Sequence, residues 1–361
     1  MKIAVLVSGG VDSSVALKLL KDQGHEVYAF YLKIWLEDEL AYLGSCPWEE
    51  DLGYVQAVCD KYNVPLQVIS LQQEYWNEVV AYTIAEIKDG RTPSPDILCN
   101  KRIKFGCFLH KIDSSFEKIA TGHYANLQHD GRLWILKKAK DPIKDQTYFL
   151  SHLNQEQLSR LVFPIGNLLK SEVRALAHQF NLPNQDRKDS QGICFLGKIS
   201  FSDFIRHHLG TRQGDFIEFE TGHVVGQHEG FWYYTIGQRK GMRLSGGPWY
   251  VVSKDTQKNI VYISKQYYSS DKHRNVFTVE HIHWLGSCPK GTKLQVKIRH
   301  GEWMYECMLN QQTMGIGTVT IQGNDQGLAP GQFAVFYDKD TCLGCGVIAE
   351  QKTICDDDLL R

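Results

Sequence analysis

Long apolar runs are what this sequence most plainly lacks. Nowhere in its 361 residues does it approach the roughly eighteen consecutive apolar residues of a membrane span, and the opening MKIAVLVSGG holds too short an apolar run for a secretory signal. The reading is cytoplasmic. An excess of either charge is missing too: 40 Lys and Arg stand against 41 Asp and Glu, so no global positive field marks a nucleic-acid binder. Any polyanion site must be a local patch. Internal repeats and low-complexity tracts are absent as well. Ten cysteines (46, 59, 99, 107, 194, 288, 307, 342, 345 and 355) in a chain without a signal argue for reduced thiols rather than a disulfide framework.

What is present is a globular composition, 43% hydrophobic and 22% charged, at a length that suits two or three domains. KIAVLV (2–7) predicts a buried strand, and after a Gly-rich turn SSVALKLLKDQG carries helical spacing up to Gly24. EVYAFYLKIW predicts a strand, DLGYVQAVCDKY a helix, and LQVIS a strand. NEVVAYTIAEIKDG predicts a helix, TPSPDILCN a loop, KRIKFGCFLHKI a helix and KIATG a short strand. Such alternation implies an α/β domain with a parallel sheet. Near residue 210 the character changes: the first 200 residues hold 12 glycines and the remaining 161 hold 19. Short runs follow, among them GFWYYTIG, PWYVVSK, NIVYIS, KLQVKIR, GTVTIQ and GQFAVFYD, at the turn density of small β domains. The expected division is 1–205, 206–272 and 273–361, with RNVFTVEHIHWL opening the last domain and CDDDLLR forming a solvated acidic tail.

The sharpest motif is SGGVDSS, Ser8 to Ser14, between a predicted strand and a predicted helix. Glycines let backbone N–H groups converge on an anion, and the helix N-terminus adds free donors and partial positive charge. That arrangement suits a pyrophosphate. The loop is neither G-x-x-x-x-G-K-[ST], because no Lys follows, nor G-x-G-x-x-G. The alternative is a plain turn, with Ser13 or Ser14 capping the helix.

SGGVDSS on this frame resembles the PP-loop ATP pyrophosphatases. PSPDILCNKRIKF (93–105), ATGHYA (120–125), KDQTYFL (144–150), DSQGICFLG (189–197), YTIGQRKG (234–241), WYVVSKD (249–255) and PGQFAVFY (330–337), in that order, are similar to the bacterial tRNA-specific 2-thiouridylases over nearly the whole chain. The resemblance implies a PP-loop N-terminal domain, a small β-rich central domain and a C-terminal β-barrel. It also implies ATP-dependent exchange of oxygen for sulfur at C2 of the wobble uridine in tRNAs for Lys, Glu and Gln.

By the same resemblance, ATP and Mg²⁺ are the cofactors, with no resident metal site. Leu6, Val7, Ser8, Gly9, Gly10, Val11, Asp12, Ser13, Leu32 and Gly122 hold the nucleotide, and Asp12 helps to place magnesium or the phosphates. Cys99 is the nucleophile, and Cys194 carries a persulfide loaded by a sulfur-relay protein or desulfurase. The two close a transient disulfide. Ser94, Pro95 and Asp96 surround the target base, with His123 beside it; Lys144, Asp145, Gln146, Arg299, His300 and Gln332 contact the tRNA. Ser94 stands where the family usually has Asn, and Arg299-His300-Gly301 where it usually has Arg-Tyr-Arg.

Several readings come from the residues alone. A free thiol of ordinary pKa, about 8.5, is mostly protonated at neutral pH, a difficulty that a persulfide avoids. Cys59 and Cys107 fall at apolar positions of helical patterns and belong to a core, whereas Cys99 and Cys194 fall outside such patterns. Cys342 and Cys345 form a single C-x-x-C, which is thin support for zinc. NKRIK (100–104) could lay three cations along a phosphate backbone, and Arg239, Lys240 and Arg243 in GQRKGMR are candidate phosphate contacts. Two alternatives stay open: a different PP-loop RNA-modifying enzyme, and an RNA-binding protein with a degenerate ATP loop.

Overall fold

The computed structural model describes residues 1–34, 47–189, 200–266, 274–289, 291–313 and 315–349. Cys194 and the acidic tail lie outside them. In the first part of the chain, β1 (Lys2–Leu6), β2 (Glu26–Lys33), β3 (Leu66–Ser70), β4 (Lys118–Ala120) and β7 (Leu161–Val162) form one parallel sheet in the order β3-β2-β1-β4-β7. Alternation along the strand explains why β1 sits at the centre. Ile3 and Val5 enter one apolar core while Ala4 and Leu6 enter the other, so both faces are covered. Helix α1 (Val11–Asp22) follows β1. Crossovers leave β1 toward β2 on one side and β4 on the other, and the carboxyl ends of β1 and β4 therefore flank the crevice where α/β sheets bind ligands.

The helix carrying Cys99 starts earlier than its sequence predicts. Pro95, whose fixed φ suits a first helical position, opens Pro95–Leu98, which continues without a break through a π-helical stretch, Cys99–Cys107, into Phe108–Lys111. Cys99 is thus helical and fully buried, not in a loop. The preceding helix has the same construction, with a π-helical turn at Trp76–Val80 leading into Ala81–Lys88. Cys59 is in the core as expected, whereas Cys107 is half-buried at its edge.

The chain then builds two β units. The central one orders its strands β10 (Tyr250–Asp255), β11 (Ile260–Ser264), β8 (Gly214–Glu218), β9 (Val224–His228). GFWYYTIG forms a 3-10 turn at Phe231–Tyr233, not a strand, because Gly230 at φ +145° turns the chain beneath the Trp232 ring. The connecting helix Phe201–Leu209 packs on Ala81–Lys88 of the first unit. In the last unit, β12 (Val276–Trp284), β15 (Ile316–Ile321), β14 (Tyr305–Thr313), β13 (Lys293–Lys297), β16 (Phe333–Asp338) and β17 (Thr341–Ile348) pair in that order, and β17 returns to β12 to close a barrel. The hairpin β5 (Asn126–His129) and β6 (Trp134–Lys137) comes from the first part of the chain yet extends this barrel sheet, pairing Cys342 with Leu136.

Candidate active site

At the N-terminus of α1 the two serines do not cap the helix. Gly10 is the N-cap residue and no side chain caps the turn; Ser13 Oγ and Ser14 Oγ instead donate back to the Gly10 carbonyl at 3.1 and 3.0 Å. Ser13 Oγ also accepts from the Ser8 N–H at 3.3 Å, which folds the loop onto itself. The first-turn N–H groups, which no helix can satisfy internally, are left without a side-chain cap. Gly9, at φ +75°, lies where a Cβ would stand 2.7 Å from the Asp51 carbonyl and 2.8 Å from the Arg187 guanidinium. Asn184 Nδ2 ties the loop from below, donating to the Gly9 carbonyl at 2.8 Å and to Ser14 Oγ at 3.0 Å.

Gly122 follows β4 and closes the other side of the crevice. A Cβ there would fall 2.7 Å from the Ser13 backbone nitrogen, which belongs to the helix terminus itself. Gly122→Ala should therefore push the segment after β4 away from the α1 terminus, costing about 1–3 kcal/mol of stability and, if the crevice takes the nucleotide as the resemblance implies, weakening ATP binding. Thermal unfolding and nucleotide titration test this; unchanged values in both would show that the walls move freely. Leu32, at the end of β2, is half-buried against the same sheet.

Asp12 sits in an ionic network that sequence patterns did not reveal. Lys170 Nζ donates to both of its oxygens at 2.7 and 2.9 Å, and Tyr124 Oη donates to Oδ1 at 3.0 Å. Burial and the Asp12 charge both push the Tyr124 phenol upward, so it remains a donor. Lys170 also reaches Asp189 at 2.7 Å, where Lys144 (3.0 Å) and Arg174 converge. Burial opposes ionisation of Asp189, yet hydrogen bonds from Lys170 and Lys144 hold its carboxyl down at about 2. One signal of Lys170 was available: it is the first residue of the helix Lys170–Gln179, where the helix dipole disfavours a cation. Tyr124 and Asp189 lie in the singled-out stretches ATGHYA and DSQGICFLG, whereas Asn184 and Arg174 left no mark.

The segment Lys144–Gln146 divides its three side chains. Lys144 points to Asp189, while Gln146 Oε1 accepts the Tyr124 N–H at 2.9 Å. Asp145 is 3% exposed and turns inward, accepting from Thr147 Oγ1 at 2.8 Å and the Ala139 N–H at 3.1 Å, with Lys297 of the barrel 3.5 Å away. The RNA contact expected of Asp145 is replaced by a tie between the first unit and the barrel. In NKRIK, Lys101 turns inward to His152 Nε2 at 2.8 Å and Arg102 pairs with Glu78, so two of its three cations have side-chain partners within the protein.

The barrel meets the first unit beside Ser94–Asp96. Thr92 N–H donates to the Pro330 carbonyl at 2.7 Å, and a Cβ on Gly331 would stand 3.0 Å from the Thr92 oxygen. Gln332 follows directly. Tyr148 Oη donates to the Phe333 carbonyl at 3.0 Å, and the neighbouring Phe149 ring lies 4.4 Å from that of His300, tilted by 34°. His300 thus supplies a flat ring there, and Arg299 is held by both oxygens of Asp325 at 3.0 and 2.7 Å. Ser94 and Pro95 head the Cys99 helix. The structure therefore gathers Ser94–Asp96, Cys99, His300 and Gln332 around one junction.

His123, next to Gly122, shares a 2.7 Å hydrogen bond with Thr121 Oγ1 and lies between Phe105 and Phe163. Burial, with a smaller push from Lys104, lowers it to about 3; burial and then Lys101 do the same to His152. An unfolded histidine titrates near 6.5, so between these values the unfolded chain binds more protons. Both histidines thus contribute stability that is fully present above about pH 6.5 and is lost as pH falls toward 3. Urea unfolding at pH 7.5 and 5.5 should show the loss, and His123→Gln with His152→Gln should flatten it; an unflattened profile would assign the loss to other groups.

Cys342 and Cys345 are buried, and burial pushes the Cys345 thiol up to about 12 and Cys342 well above its usual range. Both are protonated core residues. Among the described residues no cluster of three or more His, Cys, Asp or Glu is arranged to hold a metal ion. No helix among them is long and apolar enough to cross a membrane.

A parallel sheet with a phosphate loop at its switch point, followed by a small β unit and a β-barrel, defines a HUP-type PP-loop protein with two appended β domains. The chain matches the family profiles described as tRNA methyl transferase HUP domain (residues 1–198), tRNA methyl transferase PRC-barrel domain (202–265) and aminomethyltransferase beta-barrel domain (274–348). It is 47% identical to the tRNA-specific 2-thiouridylase MnmA of Parabacteroides distasonis, over 97% of this chain and 99% of that protein. It is 47% identical to MnmA 1 of Bacteroides thetaiotaomicron (96% and 99%) and 45% identical to MnmA of Porphyromonas gingivalis (97% and 99%). The chain belongs to the tRNA-specific 2-thiouridylase family.

Proposed function

We propose that this protein is a tRNA-uridine 2-sulfurtransferase that uses ATP and magnesium to thiolate the wobble uridine of tRNAs for Lys, Glu and Gln. The observation that carries the reading is the α1 terminus without a side-chain cap at the sheet's switch point, with Asp12 and Lys170 at its edge. Close glycine packing at Gly9 and Gly122 fits a loop built for backbone approach to phosphate. Asp12 would hold magnesium, whose charge balances the departing pyrophosphate.

Oxide is a poor leaving group, so the uridine C2 oxygen must first bond to phosphorus. That oxygen attacks the α-phosphorus of ATP, pyrophosphate departs, and C2 is left bearing AMP as its leaving group. The terminal sulfur of a Cys194 persulfide then attacks C2 and AMP leaves. Cys99 attacks the Cys194 sulfur, breaking the sulfur–sulfur bond; its electron pair forms the C2 thiocarbonyl, and the resulting disulfide is reopened by a thiol reductant. The role of Cys194 rests on DSQGICFLG alone. Chemistry at C2 needs the base out of its stack, and Ser94–Asp96 at the head of the Cys99 helix suit a flipped base.

Nucleoside mass spectrometry of tRNA incubated with the protein, Mg-ATP and a persulfide donor tests the proposal. ATP-dependent 2-thiouridine at the wobble position supports it. No thiolated uridine under conditions where tRNA binding and ATP cleavage both occur would overturn sulfur transfer, and the absence of tRNA-stimulated pyrophosphate release would favour a degenerate ATP loop.

A further inference from the structure

The central β unit contains a cavity of about 380 Å³ whose walls include Arg239, Met242, Arg243, Leu244, Pro248 and Trp249. Its floor is rigid. Trp249 is 6% exposed, packs in the unit's core and spends its Nε1–H on the Ser245 carbonyl at 3.0 Å. Backbone pairing of Gly237 and Gln238 with Val251 fastens the loop to β10. Lys265 Nζ lies 4.5 Å from the Trp249 ring centre, a further cation next to a residue of the wall.

The charge here is one-sided. From Gly230 to Lys254 the sequence contains no Asp or Glu, but does contain Arg239, Lys240, Arg243 and Lys254. Elsewhere Arg91, Arg102, Arg187, Arg206 and Arg299 pair with carboxylates. Arg239 and Arg243 are exposed and have no carboxylate partner among the described residues. The guanidinium groups donate and do not accept, and the indole N–H is already used, so the side chains suit an acceptor-only ligand, and the one-sided positive charge favours phosphate oxygens over a neutral base edge.

We propose that this cavity binds backbone phosphates of the tRNA, as a second anchor remote from the reacting base. The inference rests on the tRNA reading above. Its position fits: β10 runs from the residue after Trp249 to Asp255, and Thr256 packs against Gly90, four residues before Ser94. Seven extended residues span roughly 20 Å, so the anchor meets the RNA about six nucleotide steps along a strand. It grips the stem independently of sequence.

The test measures binding of full-length tRNA across a salt titration for the intact protein, Arg239→Gln/Arg243→Gln and Arg239→Lys/Arg243→Lys. The Gln pair should weaken binding about tenfold at moderate salt and lower the log–log salt slope by about 1.5–2, while the Lys pair restores most of both. Turnover at saturating tRNA and ATP affinity should not change, and an isolated anticodon stem-loop, whose stem reaches that distance from the wobble base, should rank the three proteins in the same order. An unaltered slope and affinity for full-length tRNA would overturn the proposal. So would a defect seen only when sulfur comes from a persulfide carrier protein and not from inorganic sulfide, which would assign the cavity to a protein partner. Failure of the intact protein to bind any tRNA would instead bring down the functional reading itself.

Discussion

Cys99→Ser is expected to abolish ATP-dependent 2-thiouridine formation, lowering the single-turnover rate by at least about a thousandfold, the scale on which an essential nucleophile acts. Cys194→Ser should do the same. The helix beneath Cys99 makes the test clean, because a hydroxyl nearly matches the thiol in volume and the residue is already fully buried. An added polar group in that apolar setting costs about 1–3 kcal/mol, small enough for the fold to persist. A thermal melt on the same sample separates the two effects. Pyrophosphate release should continue in both variants, since activation of the base precedes sulfur delivery. Full turnover by both would sink the persulfide mechanism and reopen the other PP-loop chemistries.

Asp12→Ala carries the second large effect, a fall of about 10²–10³ in tRNA-dependent pyrophosphate release. The substitution removes the carboxylate that Lys170 and Tyr124 both address, and leaves Lys170 with Asp189 alone. Affinity for tRNA should stay within about twofold, because the junction at Ser94, His300 and Gln332, which we propose meets the RNA, is built from other elements. An equal collapse of binding would mean that Asp12 organises the domain rather than the chemistry.

Patterns that repeat within a segment were readable from sequence, and partnerships between distant segments were not. Buried strands such as KIAVL announce themselves because both faces are apolar, and SGGVDSS because glycine placement is local. The Cys99 helix was read as beginning too late: Pro93 and Pro95 together look like a loop, and only the second one opens a helix. Asp145 looked like a surface residue because its partner, Lys297, is 152 positions away. Lys170 escaped notice for the same reason, being an ordinary charge until the fold brings it to Asp12, and Asp189, though inside DSQGICFLG, gave no sign of its pairing with Lys170.

The β5–β6 hairpin has a consequence for synthesis. Lys137 pairs with Thr341, so the hairpin emerges from the ribosome 204 residues before the strand that covers it. At about 5–20 residues per second, that exposed edge waits roughly 10–40 seconds for its neighbour. During that interval the nascent chain holds an unpaired strand beside a nucleotide-binding domain able to form around it, and barrel closure becomes a late step of high contact order. Protein made faster than its barrel can close is where aggregation should begin, and chain release rather than completion of the first domain should mark the end of that risk.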